Sequence, residues 1–450
     1  MLVTRVIKCF KHINKYSEML SQQTINIVVI SCAVLSGGVS TSLVSSFFPV
    51  ISLAKNVSET CSGIVLVCVL ISTVIFTPLA GKYVMVLGTK NTLTIGFINV
   101  AFGNISFGFL THIQNKNIFL IFSFIICVLI SMGVSAIGIS SVTLADRQVS
   151  QAHRGKVISV ILSLFGVGTM LGPSLGGVLY HHGGFSLTFW IIGGLMLLPS
   201  LISVFYLVQD NSQHQDDQIS VSWCRIFKYP CIVTNLFALI FSSMGCSWYS
   251  TSLGQFLLTK YNLPSSQTGL IFKLFTLTYS ISTPILGVIA DSCKVGGLSS
   301  MITGNTIICC TAGLLGPVPQ LPYLAGYLWL TVISVGVQGV GCAASYTGSL
   351  LHLIGGIQGE LLPNTDQTRG MVTSLWIAVI CSGTYLGSSL GELAFDKLGF
   401  EAGSVRITIG LGVSVITIII SLLFQRCCRR RKSRPFSKQT EEEKGLLQES

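Results

Sequence analysis

The chain has 450 residues, of which 50% are hydrophobic and only 10% are charged, and its mean hydropathy is +0.73. Soluble domains usually contain about 25% charged residues, so this composition excludes an ordinary soluble protein and indicates one that lies in a membrane. The net charge of +11 falls mainly in loops and tails beside apolar segments. Anionic lipid headgroups explain that placement better than a nucleic-acid partner does.

The fifteen cysteines form no C-x-x-C pair and no metal-ligand spacing. Most of them lie in apolar runs, where cysteine behaves as a small buried hydrophobe. We therefore predict neither a disulfide framework nor a metal or cofactor site.

Residues 1–24 form a basic tail before the first long apolar run. Such a tail is typical of a short helix that lies on an anionic membrane surface, and equally of a disordered positive anchor. The apolar run that follows, 25–49, is too long for the core of a signal peptide, so cleavage is not expected.

Twelve apolar runs are long enough to cross a bilayer, which takes about 20 residues each. Six lie in an N-terminal half, 25–207, and six in a C-terminal half, 231–425. A polar linker, 208–230, separates the halves, and a tail, 426–450, ends the chain. The predicted spans are 25–49, 61–80, 92–112, 118–144, 157–180, 187–207, 231–258, 267–290, 300–315, 325–354, 371–395 and 404–425.

The two halves of the chain repeat one another in the same direction. Several separated positions match at a constant offset, which indicates a duplicated chain on the parallel-repeat plan of one class of secondary transporter. The expected fold is therefore an all-α membrane protein, with twelve transmembrane helices in two parallel six-helix repeats. The matches pair Gly168, Gly172 and Gly176 with Gly383, Gly387 and Gly391 at an offset of 215, and Gly81 with Gly287 at an offset of 206.

The fifth span contains the glycine-rich stretch G-V-G-T-M-L-G-P-S-L-G-G at 166–177. Glycines at every fourth position share one face of a helix and allow a second helix to approach closely in lipid. Pro173 removes a backbone donor and is expected to bend the span. We interpret the glycines as a packing face without direct chemistry.

The distribution of Lys and Arg predicts the orientation of the chain. With both termini in the cytoplasm, 21 of the 27 basic residues fall in cytoplasmic tails and loops, and four fall on the opposite side. Positive charge is enriched on the cytoplasmic side of membrane proteins. We therefore predict that both termini are cytoplasmic.

The glycine-rich stretch of the fifth span also matches a family motif. Gly168, Gly172, Pro173, Gly176 and Gly177 occupy every defined position of G-x-x-x-G-P-x-x-G-G, the antiporter signature of the major facilitator superfamily. With twelve predicted spans in two parallel halves, the chain resembles that superfamily. The resemblance implies two six-helix bundles that transport a small-molecule substrate across a lipid bilayer.

A second motif of that superfamily, G-x-x-x-D-x-x-G-x-K/R, follows both the second and the eighth span. The first copy is incomplete, because Met85 stands where the Asp belongs although Gly81 fits. The second copy keeps the acid, at Gly287 and Asp291. The resemblance implies that Gly287 and Asp291 belong to a gate.

Four further segments are Phe47-Phe48-Pro49, Tyr261-Asn262-Leu263-Pro264, Gly316-Pro317-Val318-Pro319 and Lys397-Leu398-Gly399-Phe400-Glu401. In these segments the chain resembles the vesicular amine transporter family, and most of all its polyamine-type branch. This resemblance implies exchange of a cationic amine or polyamine for protons across a vesicle or endolysosomal membrane, with the plasma membrane as the other location. The chain departs from the family pattern because spans 1, 4, 7 and 10 contain no Asp or Glu, whereas amine pumps use carboxylates buried in the membrane.

Three ionisable residues are candidates for substrate binding or proton coupling, since a charge at the centre of a span costs about 2.5–3.5 kcal/mol and is rarely kept without a function. Lys273 would attract anions or repel amines in a central cavity, or else extend to the headgroups. Glu392, which replaces Gly177 in the repeat, would bind a proton or an amine, or else lie at the interface. His352 would titrate at cellular pH or form a structural hydrogen bond.

Four aromatic residues lie away from the expected interfacial belts. Ring faces attract cations, so aromatic side chains suit an amine site. Ordinary packing is the competing interpretation for each of them. They are Trp248 and Tyr249 of span 7, Tyr346 of span 10 and Trp376 of span 11.

Three short motifs predict modification or sorting. One is a glycosylation sequon on the predicted lumenal side, one a cysteine pair beside a basic run that suits palmitoylation, and one an acidic dileucine signal for cytoplasmic sorting adaptors. Their residues are Asn56 for the sequon, Cys427 and Cys428 for lipidation, and Glu442, Leu446 and Leu447 for sorting.

The sequence thus predicts a secondary transporter that exchanges a cationic amine or polyamine for protons. Two alternatives stay open. One is an uncoupled or organic-anion carrier, favoured by Lys273 and by the missing acids, and the other is a transporter-like sensor or scaffold that moves no solute. An enzyme is not expected, because the sequence has no H-E-x-x-H pair and no buried pair of acids that would activate water.

Overall fold

A computed structural model describes residues 2–148, 153–206, 226–292, 296–315, 327–357 and 366–432. Within these ranges all regular structure is helical, as predicted. The helices are α1 (Leu2–Ala54), α2 and α3 (together Glu59–Gly108), α4 (Lys116–Gln148), α5 and α6 (together Arg154–Tyr206), α7 (Pro230–Ser247, continued by Tyr249–Tyr261), α8 (Ser265–Ser292), α9 (Gly297–Leu315), α10 (Leu328–Leu351), and α11 and α12 (together Asp366–Lys432).

Three glycines divide the long helical stretches into pairs of helices. Gly88, Gly184 and Gly399 have φ values of 83°, 69° and 79°, a left-handed conformation that costs glycine little and other residues more. Each one ends a helix and turns the chain directly into the next. Eleven described segments are apolar and long enough to cross a membrane, and the longest, Arg154–Phe205, contains both α5 and α6. The described ranges therefore hold the twelve predicted helices.

The first helix starts well before the predicted span, because its backbone is helical from Leu2. The side chains of 1–23, and with them the predicted contact of the tail with the membrane surface, lie outside the described residues. At the other terminus the backbone is helical as far as Lys432, and the side chains of Cys427 and Cys428 are likewise undescribed. The sorting motif and most of the linker lie outside the described residues.

The glycine series of α5 packs against α1, almost backbone to backbone. A methyl group on Gly172 would lie 2.8 Å from the Val39 carbonyl oxygen, and one on Gly168 would lie 3.0 Å from the Val39 nitrogen. The matching series of α11 packs against α7 in the same way, since a methyl group on Gly383 would lie 2.6 Å from the Ile240 carbonyl oxygen. Both halves thus use the same close helix pair.

Buried hydrogen bonds between side chains hold each half together. In the N-terminal half Asn104 Nδ2 of α3 donates to Ser40 Oγ of α1 at 2.7 Å. In the C-terminal half Ser242 Oγ donates to Ser345 Oγ at 2.7 Å, and Ser345 Oγ lies 3.1 Å from Asn305 Oδ1. Because lipid offers no hydrogen bonds, such pairs stabilise helix association in a membrane.

The glycine packing leads to a stability prediction. We expect Gly172→Leu to destabilise the protein by about 3 kcal/mol or more, because the added side chain has to displace the backbone of α1. Gly177→Leu is the matched control in the same motif, since a Cβ there meets nothing within 4 Å. Thermal unfolding of the purified protein in detergent measures both. Equal melting temperatures for the two variants would contradict the close packing.

Candidate functional site

A cavity of about 640 Å³ lies between the two halves, within the usual range of ligand pockets. Most of its lining comes from α1, α2, α4 and α5, and the rest comes from α8, α10 and α11. Equivalent positions of α5 and α11 line it together: Ile161 with Trp376, Phe165 with Ile380, each pair at the repeat offset of 215. The cavity therefore follows the internal symmetry of the chain.

The lining of the described cavity contains no Asp, Glu, Lys, Arg or His. Among the described residues no three His, Cys, Asp or Glu side chains converge as a metal site either. The polar groups of its N-terminal wall are hydroxyls, and each lies 2.7–3.0 Å from a carbonyl oxygen of its own helix. These hydroxyls belong to Thr41, Ser42, Ser45, Thr73, Ser135 and Thr169.

The C-terminal side of the cavity presents three aromatic rings, which we call the aromatic wall: Tyr279 of α8, Tyr346 of α10 and Trp376 of α11. The ring centroids of Tyr279 and Tyr346 are 6.3 Å apart, and those of Tyr346 and Trp376 are 6.2 Å apart. Both pairs are edge-to-face, at 71° and 84°. Edge-to-face pairs at this spacing are a favoured arrangement of aromatic rings, so the two contacts stabilise the positions of the three rings.

Two of the four aromatic candidates from the sequence, Tyr346 and Trp376, thus lie at the cavity. The other two do not: Trp248 is only 1% exposed and stacks on Phe400 at 5.1 Å, while the neighbouring Tyr249 is 2% exposed. Tyr279 was missed because a tyrosine in an apolar run suggests core packing. The repeat contained the signal, since Tyr279 and the cavity residue Thr73 are equivalent at the offset of 206.

None of the three ionisable candidates lines the cavity. Lys273 is exposed on α8, and its Nζ lies 3.4 Å from Ser174 Oγ of α5, across the two halves. Glu392 is exposed on α11, next to the glycine that packs against Trp248. His352 follows the end of α10 and begins a π-helical turn, His352–Ile357.

Asp291 joins the two halves at the end of the bundle where α8 finishes and α5 begins. Its carboxylate accepts hydrogen bonds from the backbone nitrogens of Gly155 at 3.0 Å and Lys156 at 2.8 Å. An anion at a helix N-terminus pairs with free N–H groups and with the positive end of the helix dipole. A methyl group on Gly287 would lie 2.6 Å from the Gly155 carbonyl oxygen, so the two helices touch here.

A second ionic contact closes the same end. Asp146, at the end of α4, is only 3% exposed and binds Arg154 of α5 at 2.5 Å and Arg369 of α11 at 3.2 Å. The contact joins the halves, because the two arginines occupy equivalent positions 215 residues apart. Asp146 lies beyond the end of the predicted span 118–144, so no role was predicted for it. The equivalence of the arginines was the available signal.

The helix contacts at this end are symmetric, but their charges are not. Gly81 of α2 meets α11, where a methyl group on it would lie 3.0 Å from Ser374 Cβ and 3.3 Å from the Gly370 carbonyl oxygen. Gly287 meets the equivalent residues of α5. At the position that corresponds to Asp291, however, the N-terminal half has Met85. Only one of the two equivalent helix contacts therefore has a carboxylate from this motif.

The model of the Major Facilitator Superfamily matches the chain twice, at residues 30–234 and 235–448. The MFS-type transporter SLC18B1 of Mus musculus is 26% identical over 436 residues, which cover 96% of this chain and 94% of that protein. The synaptic vesicular amine transporter of Homo sapiens is 25% identical over 297 residues, or 65% of this chain and 52% of that one.

Among solved structures, a bacterial homologue of the iron transporter ferroportin in an outward-facing state matches with a TM-score of 0.69 and 18% identity. The match covers 88% of this chain and 98% of that one. At this identity the likeness concerns the fold, which is that of two parallel six-helix repeats.

The Asp291 contact leads to a prediction about local opening. We expect Asp291→Asn to speed amide hydrogen exchange at the start of α5 by about tenfold or more, because hydrogen bonds to a charged acceptor are stronger than those to a neutral amide. Hydrogen exchange with mass spectrometry measures this. Exchange in α12 of the same variant is the internal control, since Asp291 binds the start of α5. Unchanged exchange at Gly155 and Lys156 would show that Asp291 does not hold the two helices together.

Proposed function

The chain belongs to the Major Facilitator Superfamily, and on that premise we propose that it moves a small organic solute by alternating access through the cavity between its halves. Like its relatives, it is a multi-pass membrane transporter, and it is not an enzyme. In alternating access two repeats rock about a site near the midplane, which opens to each side in turn.

One observation carries this proposal: the cavity lies between the repeats and is lined by equivalent residues of α5 and α11. A site at the boundary of two rigid bodies changes its access when the bodies rotate. The contacts of Asp291 and Asp146 close one end of that boundary, which we take to be the cytoplasmic end. Asp291 and Asp146 would then be the contacts that break when the cavity opens to the cytoplasm.

For the substrate we propose an organic amine, with a vesicle membrane as the location. Support comes from the relatives named as vesicular amine transporters and from the aromatic wall, since ring faces attract cations. A second candidate is an uncoupled carrier. It is favoured by the lack of any carboxylate in the described lining, which leaves no group there to exchange a proton for an amine.

The aromatic wall leads to a transport prediction. We expect Trp376→Phe to raise the KM for a transported aromatic amine about two- to tenfold, because part of the ring surface at the cavity is lost. Trp329→Phe is the control, since Trp329 is 56% exposed on the outside of α10. Uptake into proteoliposomes over a panel of amines measures both. No uptake of any solute by the parent protein would favour the sensor or scaffold.

Proton exchange is a separate part of the proposal, with Glu392 and His352 as its candidate groups. Since neither lines the cavity, a proton on either would act on the opening of one end and not by displacing the solute. We expect Glu392→Gln to keep solute exchange at equal pH and to lose pH-driven accumulation, because the amide cannot titrate. Uptake with and without a pH gradient separates these two activities.

Intact pH-driven accumulation in Glu392→Gln would exclude Glu392 as the coupling group. The same result in His352→Gln would exclude His352 and favour the uncoupled carrier. Loss of accumulation in His352→Gln alone would assign the coupling to the end of α10.

A further inference from the structure

We propose that the cavity takes a lipophilic solute that carries at most one positive charge and presents N–H or O–H donors, and that it excludes polyamines and organic anions. This substrate class rests on the proposed function, in which the cavity is the transport site. It differs from the polyamine substrate that the family resemblance implies. Three properties of the described lining support it.

The first property is the lack of any counter-charge for a polycation. The described lining contains no carboxylate. Of the described carboxylates near it in sequence, Glu392 is exposed on α11 and lies outside the lining. Asp146 pairs with two arginines, and Asp291 binds the N-terminus of α5. Each ammonium group that leaves water needs compensation, and the faces of three rings compensate one cation far better than several.

The second property is that the hydroxyls of the N-terminal wall already use their protons. Thr73 donates to the Val69 carbonyl at 2.8 Å, and Ser135 donates to the Ser131 carbonyl at 2.8 Å. A hydroxyl has one proton and two lone pairs, so these groups offer the solute only acceptors. The other hydroxyls of this wall donate to carbonyls in the same way. A carboxylate or phosphate bound against these hydroxyls would meet lone pairs and no donors. The uncharged N–H of Trp376 on the aromatic wall does not compensate the charge of a buried anion.

The third property is the apolar remainder of the surface, which fixes how a solute lies. Aliphatic side chains such as Ile130, Val134 and Leu162 fill the space between the hydroxyls. The aromatic wall lies on the C-terminal side of the cavity. A solute with a hydrophobic body and one donor group would thus place its body against these aliphatic side chains. Its N–H or O–H groups would lie between the hydroxyls of Thr73 and Ser135 and the faces of the aromatic wall.

A matched set of naphthyl compounds tests the proposal on the full chain. Naphthylmethylamine is a single cation with donors, naphthylacetamide is a neutral donor, naphthylacetate is an anion and methylnaphthalene has no donor. Spermine serves as the polyamine. Thermal shift of the purified protein measures binding, and saturable uptake of each compound into proteoliposomes measures transport. We expect the amine and the amide to bind, methylnaphthalene to bind more weakly through its apolar body alone, and the acetate and spermine to fail.

Two variants separate recognition from folding. Thr73→Val combined with Ser135→Ala removes both acceptors, and we expect it to weaken the amine and the amide about threefold to tenfold while methylnaphthalene is unaffected. Thr311→Val is the control, because Thr311 donates to its own helix in the same pattern on α9, away from the cavity lining. An equal loss for all compounds would reflect a structural role and overturn the acceptor argument.

The remaining outcomes distinguish this inference from the proposed function. Saturable uptake of spermine or naphthylacetate would overturn the substrate class and leave transport standing. Selective binding of the amine and the amide without uptake of any compound would support the substrate class and overturn transport. Failure of every compound to bind would overturn the substrate class.

Discussion

The structure depends on close contact between helices in lipid, where the hydrophobic effect does not drive apolar side chains together. In lipid, close approach of backbones and pairing of polar groups have to hold the helices together. The glycine series supplies that approach, since Gly172 of α5 lies against α1 and Gly383 of α11 lies against α7. Once those faces are fixed, a different face of each helix is left for the boundary between the halves, and Ile161 and Trp376 lie there.

The duplication makes the helix contacts of this boundary symmetric, but the charged residues on its two sides differ. Gly81 and Gly287 keep the same helix contacts, yet only the C-terminal copy has an acid, Asp291. The buried Asp146 then binds an arginine from each half, Arg154 and Arg369. In the proposed alternating access, opening this end would break the hydrogen bonds of Asp291 and the ion pairs of Asp146. A buried carboxylate stripped of its partners is costly, which favours the closed arrangement.

Much of the fold was predictable because it follows from hydropathy and repetition. The twelve spans and the glycine contacts follow from patterns within single segments, and the division into two halves follows from matches at a constant offset. The turn at Gly184 was predictable in part, because Gly399 occupies the equivalent position at the repeat offset of 215. The cavity was harder, because no local pattern tells which aromatic residue of a span faces the partner half. Trp248 and Tyr346 are both aromatic residues within apolar spans, yet Trp248 is buried in the core and Tyr346 lines the cavity.

The separation of charge from the cavity would constrain any coupling of transport to protons. A proton and a solute compete directly only where one titratable group touches both, and the described lining holds no such carboxylate or histidine. Protons can still shift the balance between two conformations if a group at either end binds them more strongly in one of the two. By thermodynamic linkage the solute then changes the proton affinity of that distant group by the same factor. Coupling in this chain would thus be a property of its gates, where the charged residues lie, and solute selection a property of its uncharged cavity.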